Sequence, residues 1–286
     1  MRLLFVINPV SGAGQKDWQV VINEWLNRQE HTGDFFVMRQ ESDNTALLTE
    51  QIDRFQPDRL VVVGGDGTVK MAAEVLIGKN IPLAILPAGS ANGMARELGI
   101  PFAPVKALEL SVHGKPSPLD MIKINGEWCI HLSDIGLNAK MLRYFNKSGQ
   151  RGMIGYFKAV IKSWGRHFFM RVTITTDQQQ VERKAMMVVI ANASRYGTGA
   201  VINPTGKTDD GLFELVIVRR LRFGTLLNML IMGRSFDPAN IEILRCRSMQ
   251  LTTTHAYPFQ VDGESRDKQT FITATIEPAA VKVVMG

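Results

Sequence analysis

The chain has 286 residues, 45% of them hydrophobic, and a net charge of +6, which describes a soluble globular protein long enough for two domains. No apolar run reaches the roughly 20 residues that a membrane-spanning helix needs, and the segment 185–193 is far too short. The two cysteines, Cys129 and Cys246, lack the spacing of metal ligands, so we expect a reducing, cytoplasmic setting.

The first predicted element is a strand at residues 2–7, which ends at an Asn-Pro pair and does not look like a signal peptide. An amphipathic helix is predicted at residues 18–27. The chain has no Gly-x₄-Gly-Lys-Ser/Thr motif, so a P-loop is excluded. The loop between the two elements is typical of a tight turn when taken alone, but beside a second glycine loop it would form one wall of a phosphate site. Its residues are Asn8, Pro9, Val10, Ser11 and Gly12.

The central motif is a short apolar strand at residues 60–63 that runs into a glycine turn and a helix at residues 69–77. We expect Thr68 to cap this helix and Gly78 to end it. Backbone N–H groups at such a helix start favour a phosphate, and missing side chains let it approach closely. Asp66 would hold Mg²⁺ or fix the loop, while an ordinary turn between strand and helix remains the alternative. The turn consists of Gly64, Gly65, Asp66 and Gly67.

Two further strand–helix pairs flank this motif, with strands at residues 35–38 and 83–86 and helices at residues 45–55 and 91–98. The later pair places Ser90 and Asn92 at the start of its helix, where Ser90 would serve as a simple cap or as a ligand contact. Three loops that each follow a strand predict one nucleotide cleft at the carboxyl ends of a parallel sheet.

The composition changes after Pro118, and the rest of the chain predicts a mainly β domain. A hairpin is expected from residues 120–124 and 128–132, joined by an Asn-Gly turn. Helices are predicted at residues 153–169 and 223–232. Residues 281–285 are predicted as an apolar strand, and whether it joins the sheet of the first domain is left open. The predicted domains are residues 1–118, to which residues 278–286 would be added if this strand joins its sheet, and residues 119–277. Further strands are predicted at residues 171–176, 184–191, 213–218 and 271–276.

The segment 262–264 reads Asp-Gly-Glu and places two carboxylates two residues apart on a turn. A plain hairpin tip would explain it. Phosphoryl transfer to a hydroxyl group, however, needs a carboxylate that orients and deprotonates the nucleophile. Asp262 and Glu264 are the candidates for that base, and the sequence does not decide between them.

Four features in this order resemble the diacylglycerol/sphingosine kinase family, in its bacterial soluble lipid-kinase branch. They are the Asn8–Gly12 loop, the Gly64–Thr68 turn, the Gly89-Ser90-x-Asn92 segment and the Asp262-Gly263-Glu264 turn. The resemblance covers essentially the whole chain. It implies a Rossmann-like α/β domain of the NAD kinase and phosphofructokinase type, a C-terminal β sandwich, ATP as the cofactor and a lipid hydroxyl group as the acceptor.

The resemblance also implies roles for particular residues. Asp120 would belong to a hydrogen-bond network near the acceptor. A loop would bind a structural Mg²⁺ through the Asp210 carboxylate and the backbone carbonyls of Lys207 and Leu212, although a simple turn is a serious rival. The ATP site would be lined by Asn8, Pro9, Val10, Ser11, Gly12, Gly64, Gly65, Asp66, Gly67, Thr68, Val69, Lys70, Ser90 and Asn92.

A lipid kinase is therefore the first interpretation. An NAD kinase-like phosphotransferase shares the glycine motif, but the Asn-Pro-x-Ser-Gly loop and the Asp-Gly-Glu turn favour a lipid substrate. A nucleotide-binding regulator without catalysis is the third interpretation, and the intact Asp262 and Glu264 argue against it.

Residues 135–176 contain no acidic residue and eight basic ones, so this segment carries +8 and the remainder of the chain sums to −2. It also holds seven aromatic side chains, a composition that suits the headgroup layer of an anionic membrane. A solvated basic face and a nucleic-acid surface are the alternatives, and no nucleic-acid motif appears. We expect a cytoplasmic protein that associates peripherally with membranes, with a homodimer left open.

Overall fold

The chain divides into two compact units in this computed structural model. The structure describes residues 1–11, 17–40, 42–148, 169–195, 201–221 and 238–286. The first unit comprises residues 1–119 and 279–286, and the second comprises residues 120–278.

The first unit is a parallel α/β sheet with strand order β14–β4–β3–β1–β2, in which only the last part of β14 (Glu264–Met285) takes part. Strand β3 is buried throughout, as expected for a central parallel strand. One of its two faces packs with Leu3 and Phe5 of β1 against Ile22 of α1 and Leu108 of α5. The elements are β1 (Arg2–Ile7), α1 (Trp18–Leu26), β2 (Thr32–Val37), α2 (Asn44–Phe55), β3 (Arg59–Gly64), α3 (Asp66–Leu76), β4 (Leu83–Pro87), α4 (Gly93–Glu97) and α5 (Pro104–His113).

Helix α5 was not predicted from the sequence. It begins with Pro104 at its first position, where the missing N–H group costs nothing and the fixed φ suits a helix. Its buried residues, among them Ala107 and Val112, pack against the sheet of the first unit. The helix therefore forms as part of the tertiary core.

The second unit is a mainly antiparallel β sandwich, which confirms the predicted fold class. Its sheet has the strand order β12–β11–β10–β7–β13–β14, with β8 and β9 attached to β13 and the β5–β6 hairpin attached to β14. The elements are β5 (Lys115–Ile124), β6 (Glu127–Cys129), β7 (Leu132–Gly136), α6 (Leu137–Ser148), β8 (Met170–Thr176), β9 (Gln180–Ala185), β10 (Met187–Ala191), β11 (Phe213–Val218), a 3₁₀ turn (Pro238–Asn240), β12 (Ile241–Cys246), β13 (Ser248–Val261) and β14 (Glu264–Met285).

Strands β10 and β11 are apolar on both faces because each face packs into its own cluster. Val188 and Ile190 point into one cluster with residues of β5, β8, β13 and β14, whereas Val189 points into a second cluster with Leu137 and Met141 of α6. This two-sided burial explains why these strands read as continuous apolar runs in the sequence.

The limits of predicted strands were wrong in three places. Residues 184–191 form two strands, because β9 pairs with β8 while β10 pairs with β7 and β11. The chain changes partners at Met186, whose N–H group bonds to Val218 and whose carbonyl accepts the N–H group of Leu137. The two strands predicted near the end are one strand, β14, which passes through Pro278. The third case, at residues 128–132, is explained by Asp262 below.

The helices predicted at residues 153–169 and 223–232 fall on residues outside the described part of the chain, apart from residue 169. Residues 149–168, about half of the basic, acid-free segment, lie outside it as well. Within the described ranges, no helix has both the length and the apolar character that crossing a membrane requires.

Candidate active site

Asn8 ties the loop after β1 to the start of α3. Its side-chain NH₂ donates to the Thr68 hydroxyl oxygen at 3.0 Å, and its own carbonyl oxygen Oδ1 accepts the N–H group of Val10 at 3.2 Å. The backbone N–H group of Ser11 bonds to the Asn8 carbonyl. The predicted loop residues thus lie beside the glycine turn, with Pro9 and Val10 exposed and Gly12 outside the described residues.

The helix after β3 begins earlier than predicted. Gly65 is its N-cap and Asp66 its first residue, so Thr68 does not cap it and lies instead within the first turn. Thr68 is 4% exposed, and its hydroxyl group accepts the Asn8 bond. The side chain of Val69 lies in the core, so only its backbone is available to a ligand, and Lys70 is also buried.

Asp66 fixes a second loop. Its two carboxylate oxygens accept the backbone N–H groups of Gly93 at 2.9 Å and Met94 at 3.0 Å, at the start of α4. These are N–H groups that a helix leaves without partners of its own. Of the two roles expected for Asp66, the structure shows the fixing of a loop.

Asn92 shapes the loop that precedes α4. It has a positive φ of 52°, and its side chain accepts the N–H group of Gly89 at 2.8 Å and donates to the carbonyl of Gly89 at 2.7 Å. The predicted helix start at residue 91 and the capping role of Ser90 were therefore wrong, because Asn92 closes the loop and α4 begins one residue later. Ser90 is exposed on this loop.

The glycine loops after β3 and β4 touch through their backbones. A Cβ atom added to Gly89 would lie 2.4 Å from the Cα atom of Gly65, and one added to Gly64 would lie 2.6 Å from the side chain of Thr68. Gly67 differs, because a Cβ atom there would meet no heavy atom within 4 Å. The fold requires Gly64 and Gly89, whereas the space beside Gly67 is open.

This arrangement fits a phosphate group at the start of α3. The first-turn N–H groups of a helix attract anions, and the open space at Gly67 allows close approach to the backbone. Among the described residues no three His, Cys, Asp or Glu side chains converge as metal ligands. Each Asp66 oxygen accepts one N–H group and keeps a second lone pair, and proteins commonly hold Mg²⁺ together with nucleotide phosphates through one or two carboxylates.

The second unit carries the Asp-Gly-Glu segment as a two-residue hairpin turn between β13 and β14. Val261 pairs with Glu264, and Asp262 and Gly263 both have positive φ, at 48° and 84°. These are the features of a type I′ turn, for which Asp-Gly is a favoured sequence.

The Asp262 carboxylate is occupied by donors from one stretch of backbone. It accepts the N–H groups of Ile130 at 3.0 Å, His131 at 2.9 Å and Leu132 at 3.2 Å, and the Cys129 thiol also bonds to it. Because these N–H groups donate to a side chain, they do not pair with a neighbouring strand. Residues 128–132 consequently form the end of β6 and the start of β7, where the sequence had predicted one strand.

Glu264 projects from the same turn but is much freer. Its side chain is 63% exposed and accepts one bond from Arg266 at 2.9 Å. Arg266 also bonds to Glu127 through Nε at 2.8 Å, and the Glu127 and Glu264 carboxylates raise the pKa of the guanidinium group. Glu264 is therefore a carboxylate that solvent can reach.

Asp120 holds the predicted metal loop from beneath. It is 1% exposed, its carboxylate accepts the N–H group of Gly211 at 2.7 Å, and its own N–H group donates to the carbonyl of Thr208 at 2.7 Å. Asn192 donates to the Asp120 carbonyl. Asp120 thus lies in a hydrogen-bond network with this loop and Asn192, and its place near the acceptor stays a prediction.

The loop itself does not fit a divalent cation in this arrangement. One oxygen of Asp210 accepts the N–H group of Leu212 at 3.1 Å, and the other pairs with the guanidinium group of Arg245. Arg245 also bonds to Glu214 at 2.9 Å, a side chain that is 1% exposed and whose pKa is raised by its burial. A guanidinium group therefore supplies the positive charge beside Asp210, and Lys207 is exposed to solvent.

Sequence reasoning missed Arg245 and two further residues, Asp134 and Gln260. Asp134 is fully buried on β7, and Gln260 lies opposite it on β13. The available signal was an acidic residue inside an apolar strand, which is rarely buried without partners.

Comparison with known proteins supports a family assignment. Residues 2–124 match the family described as the diacylglycerol kinase catalytic domain, and residues 133–285 match the YegS C-terminal NAD kinase beta sandwich-like domain. The second match alone covers more than half of the chain.

Individual relatives agree with these matches. A probable lipid kinase YegS-like protein of Shewanella frigidimarina is 26% identical over 254 residues, 84% of this chain and 80% of that protein. The lipid kinase YegS of Escherichia coli K12 is 28% identical over 257 residues, 85% and 83% of the two chains. The crystal structure of a diacylglycerol kinase from Bacillus anthracis, at 22% identity, shares the fold with a TM-score of 0.74 over 100% of this chain and 97% of that one.

Proposed function

We propose that this chain, which belongs to the YegS-like lipid kinases of the diacylglycerol kinase family, transfers the γ-phosphoryl group of ATP to a hydroxyl group of diacylglycerol or a related lipid. The first unit would bind the nucleotide, and the second would supply the base that activates the lipid hydroxyl group. ATP as the donor and diacylglycerol-type lipids as acceptors are the specific parts of this proposal.

The observation that carries the proposal is the open space at Gly67, at the start of α3. The loops of Asn8, Asp66 and Gly89 fix this helix start through side-chain bonds and close backbone contact, yet the fold makes no demand on Gly67 itself. A larger side chain would fit at this position without a clash, so packing does not explain the glycine. A glycine in the first turn of a helix instead lets a phosphate group approach the backbone closely.

Glu264 is the better of the two candidates for the base. Asp262 already accepts three backbone N–H groups and a thiol, so its oxygens serve to hold the turn. Glu264 is exposed and accepts a single bond from Arg266 among the described contacts. In the proposed step the Glu264 carboxylate accepts the proton of the lipid hydroxyl group, the hydroxyl oxygen bonds to the γ-phosphorus, and the bond from that phosphorus to the β–γ bridging oxygen breaks to release ADP.

The remaining polar residues would position these groups. Asp262 fixes the turn that carries Glu264, and Asp120 fixes the loop at residues 208–211. Asp66, which orders the start of α4, is the residue that would hold Mg²⁺ with the nucleotide. When bound, the ion would neutralise negative charge on the phosphate oxygens.

The proposal is tested by incubating the purified protein with γ-labelled ATP and Mg²⁺, together with vesicles that contain diacylglycerol, monoacylglycerol, sphingosine or phosphatidylglycerol, and with NAD in a separate reaction. We expect label in at least one lipid and none in NAD. Label in NAD alone would replace the proposal by the NAD kinase alternative. Nucleotide binding without transfer to any acceptor would favour a regulator.

A kinase that acts on acyl lipids must reach the membrane surface, and the basic, aromatic segment at residues 135–176 supports peripheral docking on anionic lipid. Each basic residue near such a surface contributes about 1 kcal/mol. Vesicle co-sedimentation tests this: binding should rise with anionic lipid and fall with salt. It should also fall when Arg143, Lys147, Arg151 and Lys158 are changed to Glu. Equal binding to neutral and anionic vesicles would exclude the segment.

A further inference from the structure

A buried carboxylate lies directly opposite Gln260, two residues before the Asp-Gly-Glu turn begins. Asp134 on β7 and Gln260 on β13 are cross-strand partners, and they are 0% and 1% exposed. The side-chain NH₂ of Gln260 donates to the Asp134 carboxylate at 2.6 Å. Both residues lie within the second unit, and neither was assigned a role above.

The same glutamine side chain reaches the turn with its other end. The carbonyl oxygen Oε1 of Gln260 accepts the N–H group of Gly263 at 2.7 Å. Gly263 is the middle residue of the turn and directly precedes Glu264. One amide group therefore links Asp134 to the segment that carries the proposed base.

The chemistry of the two ends fixes the orientation of this amide. An ionised carboxylate only accepts hydrogen bonds, and a backbone N–H group only donates. Gln260 must therefore turn its NH₂ group towards Asp134 and its carbonyl oxygen towards Gly263. If residue 134 turned a donor towards Gln260, the amide would either keep its orientation and lose this bond, or flip and leave Gly263 without its acceptor.

The surroundings of Asp134 are built to hold an acceptor. The side chain of Asn138 donates to it at 2.6 Å and the backbone N–H group of Ala139 at 2.8 Å, both at the start of α6. Burial raises the pKa of Asp134 to about 6, while these three donors oppose that rise. The groups in contact from α6 and β13 are neutral, and the partner on β10 is Val189. At neutral pH the ionised form is therefore held by hydrogen bonds to neutral groups.

We propose that Asp134 is a positioning residue for the Asp262-Gly263-Glu264 turn and that it acts through the side-chain amide of Gln260. This inference rests on the function proposed above, because it gives Asp134 its role through Glu264. Asp134 does not touch a substrate in this proposal. It sets the acceptor that holds Gly263 and thereby the direction in which Glu264 projects.

The test is an exchange of donor and acceptor between the two residues. Asp134→Asn turns an NH₂ group towards at least one of the three donors that face residue 134, and Gln260→Glu sets a carboxylate against Asp134, whose repulsion displaces the acceptor of Gly263, so each single change disturbs the link. In the double variant Asp134→Asn/Gln260→Glu, the new amide donates to the new carboxylate, whose second oxygen accepts the Gly263 N–H group. Residues 134 and 260 are then joined by a hydrogen bond again, with an amide at position 134 and a carboxylate at position 260. Asn138→Ala is the matched control, because it removes a donor from the same carboxylate without touching the turn.

Two readouts are needed. Hydrogen exchange of the Gly263 amide reports the turn without any assay of activity, and we expect roughly five- to tenfold faster exchange in each single variant, the equivalent of one lost hydrogen bond. Steady-state kinetics should show a kcat at least about tenfold lower with the KM for ATP unchanged, since misplacement of a catalytic group acts on the reaction step. The double variant should recover both values, and Asn138→Ala should leave both near wild type.

Unchanged Gly263 exchange in both single variants overturns the inference, as does faster exchange with an unchanged kcat. If one single variant does not fold, the other and the double variant still decide. If the wild type transfers phosphate to no lipid, the proposed function fails, whereas the exchange readout still decides whether Asp134 holds the turn.

Discussion

The carboxylate of Asp66 accepts the backbone N–H group of Gly93 at 2.9 Å, so the first residue of α3 caps the first residue of α4. Helix α4 has only five residues and its own N-cap, Asn92, is used within the preceding loop. The start of α4 therefore depends on a residue of another helix, α3, in the same unit. This relationship gives Asp66 a structural function that is independent of any metal ion.

Asp66→Ala should reduce both stability and activity. Two N–H groups at the start of α4 would lose their acceptors, and each such loss costs about 1–3 kcal/mol when the group cannot reach water. Urea unfolding measures this cost, and turnover should be lost because the loops around the proposed phosphate site are no longer fixed.

Asp43→Ala is the control for a lost helix cap. Asp43 caps α2 through the N–H group of Ala46, away from the glycine loops, and its removal should cost about 1 kcal/mol without changing kcat. If Asp66→Ala is as stable and as active as wild type, both roles of Asp66 are wrong.

Gly67→Ala should separate ligand binding from folding. The added methyl group meets no protein atom within 4 Å, and alanine is favoured over glycine in a helix by up to about 1 kcal/mol. We expect unchanged or slightly higher stability with a KM for ATP raised about tenfold or more. Gly89→Ala, by contrast, places its Cβ atom 2.4 Å from Gly65 and should be clearly destabilised. An unchanged KM for Gly67→Ala would remove the phosphate from this helix start.

Substitution of Glu264 and of Asp262 should affect activity and stability differently. Glu264→Gln should lower kcat by about 10²–10⁴ with an unchanged melting temperature, because it removes an exposed base. Asp262→Asn turns an NH₂ group towards backbone donors and should lower the melting temperature as well as activity. Full kcat in Glu264→Gln would assign the base to another residue.

The sequence predicts those parts of this protein that depend on short-range patterns. The β-branched run of β3, the glycines after it and the Asp-Gly turn each carry their conformation locally. An α/β domain and a mainly β domain follow from those patterns, the family resemblance implied that the second is a β sandwich, and this fold class is confirmed.

Long-range partners explain the parts that were missed. Asp262 takes N–H groups from residues 130 positions or more earlier in the chain, which ends one predicted strand and begins another. Likewise, Arg245 lies 35 residues after Asp210 and pairs with it, so the Thr-Asp-Asp-Gly segment alone did not reveal its counter-charge. Neither contact leaves a periodic signal in the sequence.

Arg245 should make the stability of the second unit independent of Mg²⁺. Without nucleotide, millimolar Mg²⁺ should not raise the melting temperature of the wild type, because a guanidinium group already pairs with Asp210. Arg245→Met should be destabilised by about 3 kcal/mol, since it leaves the buried Glu214 carboxylate without its cation. Arg245→Met/Glu214→Gln should recover much of that loss. A Mg²⁺-dependent rise in the wild type that Asp210→Ala abolishes would instead establish a bound ion.

Asp134 should give this protein a measurable dependence of stability on pH. Burial raises its pKa to about 6 in the folded state, whereas an unfolded aspartate titrates near 3.9. Between these values the folded state binds more protons than the unfolded state, so the contribution of Asp134 to the free energy of unfolding falls as pH rises from about 4 to about 6. Below that window the contribution no longer changes.

Asp134→Asn removes this dependence and so isolates it. The difference in unfolding free energy between variant and wild type should shift in favour of the variant by about 2 kcal/mol between pH 4 and pH 7, because most of a shift of about two pKa units falls in this range. Because both proteins share every other titrating group, including Glu242 with its pKa lowered to about 2 mainly by its bond to Arg183, those contributions cancel. Urea unfolding at half-unit pH intervals measures the difference. A variant that parallels the wild type across the whole range would show that Asp134 titrates as an ordinary carboxylate.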